Sequence, residues 1–484
     1  QPVEKVLDTC GIVGPLDHLP AVMEDKDFPM ALGRRPSEQQ ELWIATTDLP
    51  RSAGHPFYEQ LNRLLADADF DHVVETLCAP HYAQVMGRPS IPPGVYFRML
   101  VVGYFEGIDS QRGIAWRVSD SLSLRAFLGI PVTESTPDHS SLTRTRKRLP
   151  IEVHEAVFVK VLQIAQQHEL LKGKTVGVDA TTLEANAAMK SIVRKDTGED
   201  WQAYLTRLAK EAGIEDPTSA DLKAFDRKRT DKKVSNIEWE SPTDKDSRIT
   251  KMKDGTTHLA YKAEHVVDLD TEIILAATIQ PGDRGDTDSL PESLVTAQMN
   301  LMAVGSEQAI SELAADKGYH KAETVAQCEG WCIRTYIPEP KAKGKRRWTD
   351  KPAGWREAVY ANRRRVRGAH GKQLGRRRRE RVERSFAHVC ETGGGRRTWL
   401  RGLVNVAKRY VIQAAARNLG LIMRAACGIG KPRTLQGSCG AYLLLHVTIV
   451  WAWHRAIQPS THQVASRDRS WSPAHWSATS LVAA

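Results

Sequence analysis

The chain has 484 residues and a formal net charge of +10, from 68 Lys and Arg against 58 Asp and Glu. That length predicts two or three domains, and the charge favours a polyanionic partner. Its seven cysteines form no paired framework and Cys328-x3-Cys332 lacks a second half for zinc, so reduced thiols in a cytoplasmic protein are expected.

Residues 1–40 are set apart as an N-terminal segment, and a first residue of Gln1 in place of Met points to a truncated start; no signal peptide is apparent. Residues 41–150 show helical periods, including the apolar run 95–105. They end in a basic stretch that contains Arg144, Arg146 and Arg148. Residues 140–146 suit a DNA recognition helix, with Thr136-Pro137-Asp138 as its cap and first turn. Plain helix packing with a charged surface fits those residues equally well. A helix over 151–171 then leads into the first of five expected strands.

The strands are 175–179, 258–268, 272–280, a run ending just before Asp316, and 333–337. The first three are consecutive and expected to be antiparallel. Asp179 and Asp316 each fall at a strand end, where an isolated Asp is most often a turn or cap residue. Between the first two strands, residues from about 189 to 255 form a charged insertion, expected to be partly helical with little to bury. Asp283, Asp286 and Asp288 rival the two strand-end aspartates, although their Pro-Gly-Asp-Arg-Gly-Asp context favours a turn, with Asp286 or Asp288 in a supporting role at most.

Residues 341–384 concentrate the positive charge. They hold Lys345-Arg346-Arg347-Trp348, Arg363-Arg364-Arg365 with Arg367, and Arg376 to Arg379, against only four acidic residues. Such runs are commonly solvated faces. Here they lead directly into a helical segment with a carboxylate, so a DNA track is the better reading. Trp348 and Trp355 suit base stacking or the core equally. In that helix Val382, Phe386 and Val389 form an apolar stripe at i, i+4 and i+7. At about 100° per residue, Glu383 falls about 90° from the centre of the stripe and Glu380 about 150°. Glu383 therefore flanks the buried face and Glu380 points to solvent.

Three carboxylates brought together would repel by about 4 kcal/mol per pair at roughly 4 Å and an effective dielectric near 20. Divalent cations remove that penalty. Oxygen ligands without a Cys or His cluster select Mg²⁺ or Mn²⁺, and two such ions suit in-line displacement at a phosphodiester. Asp179, Asp316 and Glu383 are the candidate set. The apolar run 441–453 contains His446 and is shorter than the roughly 20 residues a membrane helix needs. Residues 426–484 read as a C-terminal tail.

The segments Val178-Asp179-Ala180-Thr181-Thr182, Ala315-Asp316-Lys317-Gly318-Tyr319 and Arg379-x3-Glu383 resemble the three blocks of bacterial insertion-sequence DDE transposases. The branch is the one whose third block reads Tyr-x2-Arg-x3-Glu-x6-Lys. Residues 96–148 resemble the helical N-terminal domain of that family, and 393–397, 401–405 and 416–420 resemble the helix pair after its catalytic Glu. At the outer positions of the third block Arg376 stands in place of the Tyr and Cys390 in place of the Lys.

The resemblance implies an α/β catalytic core over 151–425 with an RNase H-like mixed sheet flanked by helices, beside an all-α N-terminal domain. It implies two Mg²⁺ or Mn²⁺ held by Asp179, Asp316 and Glu383, with Lys317 and Tyr319 positioning the phosphate. Arg379 would orient Glu383 or grip the DNA backbone, and Arg376 would hold a phosphate. The expected partner is double-stranded DNA, both transposon ends and target, engaged by a homodimer or larger assembly. A hydrolytic nuclease and a catalytically dead DNA-binding relic are the alternative readings.

Overall fold

Local chemistry sets where the helices of the first third begin. The computed structural model describes residues 54–83, 90–230, 235–252, 255–341 and 347–433. The expectations for 1–40, for Lys345 and Arg346 and for the tail beyond 433 lie outside those residues. Seven described helices precede the first strand: α1 (Pro56–Asp67), α2 (Phe70–Cys78), α3 (Pro93–Glu106), α4 (Gln111–Ser119), α5 (Leu122–Phe127), α6 (His139–Arg148) and α7 (Ile151–Gln167). Proline opens α1 and α3, where a missing N–H costs nothing. Ser110, Ser121 and Asp138 cap α4, α5 and α6 by accepting backbone N–H groups, Asp138 from Ser140 and Ser141 as its sequence context predicts.

Burial of α3 on nearly every side would strand the Arg98 guanidinium without partners. Instead Arg98 forks onto Asp71 at 3.0 and 2.7 Å and donates to Asn62 Oδ1 and the Phe127 carbonyl, which ties α1, α2 and α5 to α3.

β1 (Thr175–Glu184) follows, and then the charged insertion. The insertion holds β2 (Val193–Arg194), α8 (Trp201–Glu211), α9 (Ser219–Lys228) and β3 (Trp239–Glu240). It buries more than its charge suggests, which corrects the expectation. Trp239 is almost fully buried beside the rings of Trp201 and Tyr204, with centroids 5.2 and 5.3 Å away, and Arg194 lies over Tyr204 at 5.0 Å. Three aromatic residues supply apolar area that the surrounding Lys, Arg and Asp obscure in composition.

The main sheet adds β4 (Arg248–Lys251), β5 (Thr257–Asp268), β6 (Ile274–Pro281), then α10 (Asp286–Ala303), β7 (Glu312–Ala315), α11 (Ala322–Gly330) and β8 (Arg334–Tyr336). Its order is β6-β5-β1-β7-β8, with β4 also paired to β5. β5 is antiparallel to β1 and β6 to β5, as expected, whereas β7 is parallel to β1 and β8 to β7. β4 is a strand the sequence did not suggest.

The chain then forms α12 (Trp355–Arg367) and α13 (Ala369–Phe386), a π-helical turn over Ala387–Thr392, and α14 (Leu403–Cys427). α13 and α14 cover one face of the sheet and α10 the other. α14 is buried around most of its circumference, as a helix must be when it packs on both sides. One side meets β6, where Asn418 bonds both the N–H and the carbonyl of Ile274, and the other meets α7 and α3. The N-terminal helices and the sheet thus share one core. No helix of the described residues is long and apolar enough to cross a membrane.

Candidate active site

The parallel ladder of β1 and β7 ends at the pair Val178 and Ala315, so the next residues, Asp179 and Asp316, lie side by side. Only Asp316 sits at a strand end, and the expectation for Asp179 is corrected, since β1 runs on to Glu184, held by its antiparallel pairing with β5. Arg378 of α13 comes between them. Its Nη1 lies 2.7 Å from Asp179 Oδ2 and its Nη2 4.0 Å from Asp316 Oδ1, and the side chain is 8% exposed. Gly177 permits this approach. A Cβ built on Gly177 would lie 2.9 Å from Val382 Cγ2 and 3.2 Å from Arg378 Cγ, so only a residue without one lets α13 rest on β1.

Glu383 and Glu380 separate by flank. On one side of α13, Arg377 pairs with Asp270, Arg381 donates to the Leu269 carbonyl and Arg384 pairs with Glu272, all at the turn between β5 and β6. That turn adjoins the start of β1, since Asp268 is paired with Val176. Glu380 belongs to that side, bound to Arg384. Glu383 lies on the opposite flank, one turn before Phe386, and is exposed. Phe386 stacks on His265 with centroids 4.0 Å apart, and His265 sits opposite Asp179 in the ladder. Among the described residues no three His, Cys, Asp or Glu side chains converge closely enough to hold a metal ion. The two aspartates converge on a guanidinium, a position that suits a cation, and their hard oxygen donors fit Mg²⁺ or Mn²⁺.

His265 fixes α13 from beneath. Ser385 Oγ donates to the Val382 carbonyl at 2.7 Å, so at 2.8 Å it accepts from His265 Nδ1. Nε2 then accepts from the Tyr410 hydroxyl at 2.9 Å. Burial, with Arg417 nearby, drives the His265 pKa down to about 3, so the ring is neutral.

On the other face a buried cluster anchors the segment after Asp316. Glu264 Oε2 accepts from Ser289 Oγ and Tyr319 Oη, each at 2.8 Å, and Lys262 Nζ lies 2.7 Å from Asp286 Oδ1. Asp286 Oδ2 packs so close to Gly318 that a Cβ there would lie 2.5 Å from it. Asp286 and Asp288 occupy the first turn of α10, not the loop their sequence context suggested. The expectation for Tyr319 is corrected as well: its hydroxyl is buried on Glu264, and burial raises its pKa well above the ordinary value.

The candidate DNA contacts divide. Arg144, Arg148, Arg364, Arg376, Arg379 and Lys317 are exposed. Arg146 is not; it is 8% exposed in a pocket beside Tyr96 and Ile114. Arg363 is forked onto Glu339 at 2.9 Å twice, and Arg365 pairs with Glu329 and donates to the Thr335 carbonyl. Arg363 and Arg365 thus brace the fold, whereas Arg146 is buried with its Nε and Nη1 lacking a hydrogen-bond partner among the described residues. Arg379 Nε donates to Gly375 O of its own helix at 3.4 Å. Trp348 packs partly buried against the cluster of Val325, Ala358 and Val359, and Cys390 is buried against Tyr410.

Two features escaped the sequence reading. Arg378 hid in a run of four arginines, although its place four residues before Val382 sets it on the apolar stripe. The second is the loop after α13: Arg397 lies 5.2 Å over the half-exposed Trp399 ring, and Arg396 Nη1 is 3.4 Å from Thr181 Oγ1, two residues past Asp179 on the same face of β1.

Residues 48–148 match the family described as Transposase domain (DUF772), and residues 204–419 match the family described as Transposase DDE domain. No match to a curated protein or a solved structure accompanies them.

Proposed function

Because the chain belongs to the DDE transposases of insertion sequences, we propose that it binds the terminal inverted repeats of its own element, cleaves the ends and joins the resulting 3′-hydroxyls to target DNA. The observation that carries this reading is the pair Asp179 and Asp316, emerging side by side from adjacent parallel strands beside α13. Glu383, on the flank of α13 away from the β5–β6 turn, is the proposed third carboxylate. A central β1 with antiparallel partners on one side and parallel ones on the other supports an RNase H-like core.

Asp179, Asp316 and Glu383 would hold two Mg²⁺ or Mn²⁺, which when bound acidify the attacking water and neutralise the leaving oxygen. The protein's own part is to hold those oxygens where β1 and β7 part company and to seat the phosphodiester against Lys317, Arg376 and Arg379. Arg144 and Arg148 on α6 and the exposed Arg364 extend the positive track, and Arg396 and Arg397 line the far end of β1. Synapsis of two ends calls for a dimer or larger assembly on DNA.

A second reading, a relic that binds ends without cutting them, draws on one observation. Cys390 is buried at the place where the family carries a DNA-touching Lys.

Incubating the full chain with Mg²⁺ and linear DNA carrying the element's ends, beside Asp179→Asn and Glu383→Gln, separates these readings. Nicked and joined products from the wild type alone support the transposase. Cleavage without joining points to a hydrolytic nuclease, and end binding without cleavage to the relic.

A further inference from the structure

We propose that Arg378 is a built-in counterion which holds Asp179 and Asp316 together before any metal arrives and lowers the affinity of the site for divalent cations. The inference rests on the reading of these two aspartates as metal ligands.

Three observations point to it. Arg378 touches both carboxylates, closely at Asp179 and loosely at Asp316, so its single charge is shared between them. Its stem is packed, because Arg378 Cγ and Val382 Cγ2 fill the space above Gly177 between α13 and β1. The carboxylates are more exposed than the guanidinium: the Asp316 side chain is 52% exposed and that of Asp179, whose Oδ1 also accepts from the Ala180 N–H at 2.9 Å, 25% exposed, against 8% for Arg378. Arg378 therefore approaches from the buried side, and a metal would come from the exposed one.

The electrostatic consequence has a definite sign. Two carboxylates side by side just past the end of the β1–β7 ladder repel, and a buried guanidinium relieves that repulsion in the metal-free protein. The same charge repels an incoming divalent cation. Arg378 thus exchanges metal affinity for a preformed site. It is a positioning residue, since it acts through the two aspartates, and a metal-binding signature distinguishes it from a residue that merely packs.

The test is Mn²⁺ binding to the full chain without DNA, read by electron paramagnetic resonance of free Mn²⁺ and by the shift in melting temperature. The variants are Arg378→Met, which keeps the stem, Arg378→Lys, which keeps the charge, and Asp179→Asn as control. Arg378→Met is expected to melt lower than wild type without metal, to bind Mn²⁺ about tenfold tighter or more, and to recover its melting temperature with Mn²⁺. Arg378→Lys is expected to stay close to wild type in affinity. Equal Mn²⁺ affinity in Arg378→Met and wild type, with binding lost in Asp179→Asn, overturns the counterion role and leaves the metal site standing. No Asp179-dependent binding in any variant overturns the metal-ligand reading and this proposal with it.

Discussion

Gly177 of β1 and Val382 of α13 touch across the gap where any other residue would place a side chain, and a Cβ on Gly177 would lie 2.9 Å from Val382 Cγ2 and 2.7 Å from Leu269 Cδ2. Gly177 precedes Asp179 by two residues on the same face of β1, so this contact sets the height of α13 above the proposed site. Gly177→Ala is expected to cost about 1–3 kcal/mol, the usual penalty of overpacking. It should also lower DNA cleavage more than it lowers DNA binding, because α13 moves relative to Asp179. Urea melts and end-cleavage assays on one preparation check both. Wild-type cleavage at reduced stability would show that the spacing does not matter to the chemistry.

Two glutamates one turn apart on α13 make opposed predictions. Glu380 is held by Arg384 on the side of the β5–β6 turn. Glu383 lies on the flank of Phe386, whose ring covers the ladder partner of Asp179. Glu383→Gln is expected to reduce cleavage by about two orders of magnitude or more, the scale of losing one group that stabilises the transition state. Glu380→Gln should leave cleavage within about twofold, since it removes only an exposed i,i+4 ion pair. The reverse pattern would transfer the third carboxylate to Glu380.

What the sequence made legible, and what it hid, follows from how far each signal reaches along the chain. The Asp138 cap and the Val382, Phe386, Val389 stripe are short-range patterns and stand in the structure as read. The arrest of Tyr319 on Glu264 was not legible, because the two are 55 residues apart and the pairing of both β5 and β7 with β1 is needed to bring them together. Arg363 and Arg365 read as a DNA-facing run because their partners, Glu339 and Glu329, lie on other elements. Within Arg376 to Arg379 the residue type is constant, so only the helical phase relative to Val382 tells the buried arginine from the exposed ones.

Acid should loosen the fold through its buried histidines. Burial lowers the pKa of His265 to about 3 and that of His154 to about 4, and in the unfolded chain both return to an ordinary 6.5. Between those values the unfolded state binds protons that the native state does not, so stability rises with pH there. The contribution is complete above pH 6.5 and is lost as pH falls toward 3–4, at up to about 1.4 kcal/mol per pH unit for each histidine. Melting temperature measured from pH 7.5 to 4 should therefore drop on the acid side, and His265→Gln should have a lower melting temperature at neutral pH with a shallower acid slope. An unchanged slope in that variant would remove His265 from the account.

Exposed and braced arginines should differ in how salt affects binding. Arg376 and Arg379 are exposed, whereas Arg363 and Arg365 are held by Glu339 and Glu329. A side chain that neutralises a phosphate releases a counterion, so its removal flattens the plot of log affinity against log salt concentration by about 0.9. Arg376→Ala with Arg379→Ala is expected to reduce that slope by about 1.8, a loss shared by specific and unrelated duplexes, since phosphate contacts carry no sequence information. Arg363→Ala with Arg365→Ala should leave the slope nearly intact and instead lower the melting temperature, because α12 loses its ties to the end of β8 and to α11. If the second pair flattens the slope and the first does not, the DNA path runs over α12, and the ion pairs to Glu339 and Glu329 must open when DNA binds.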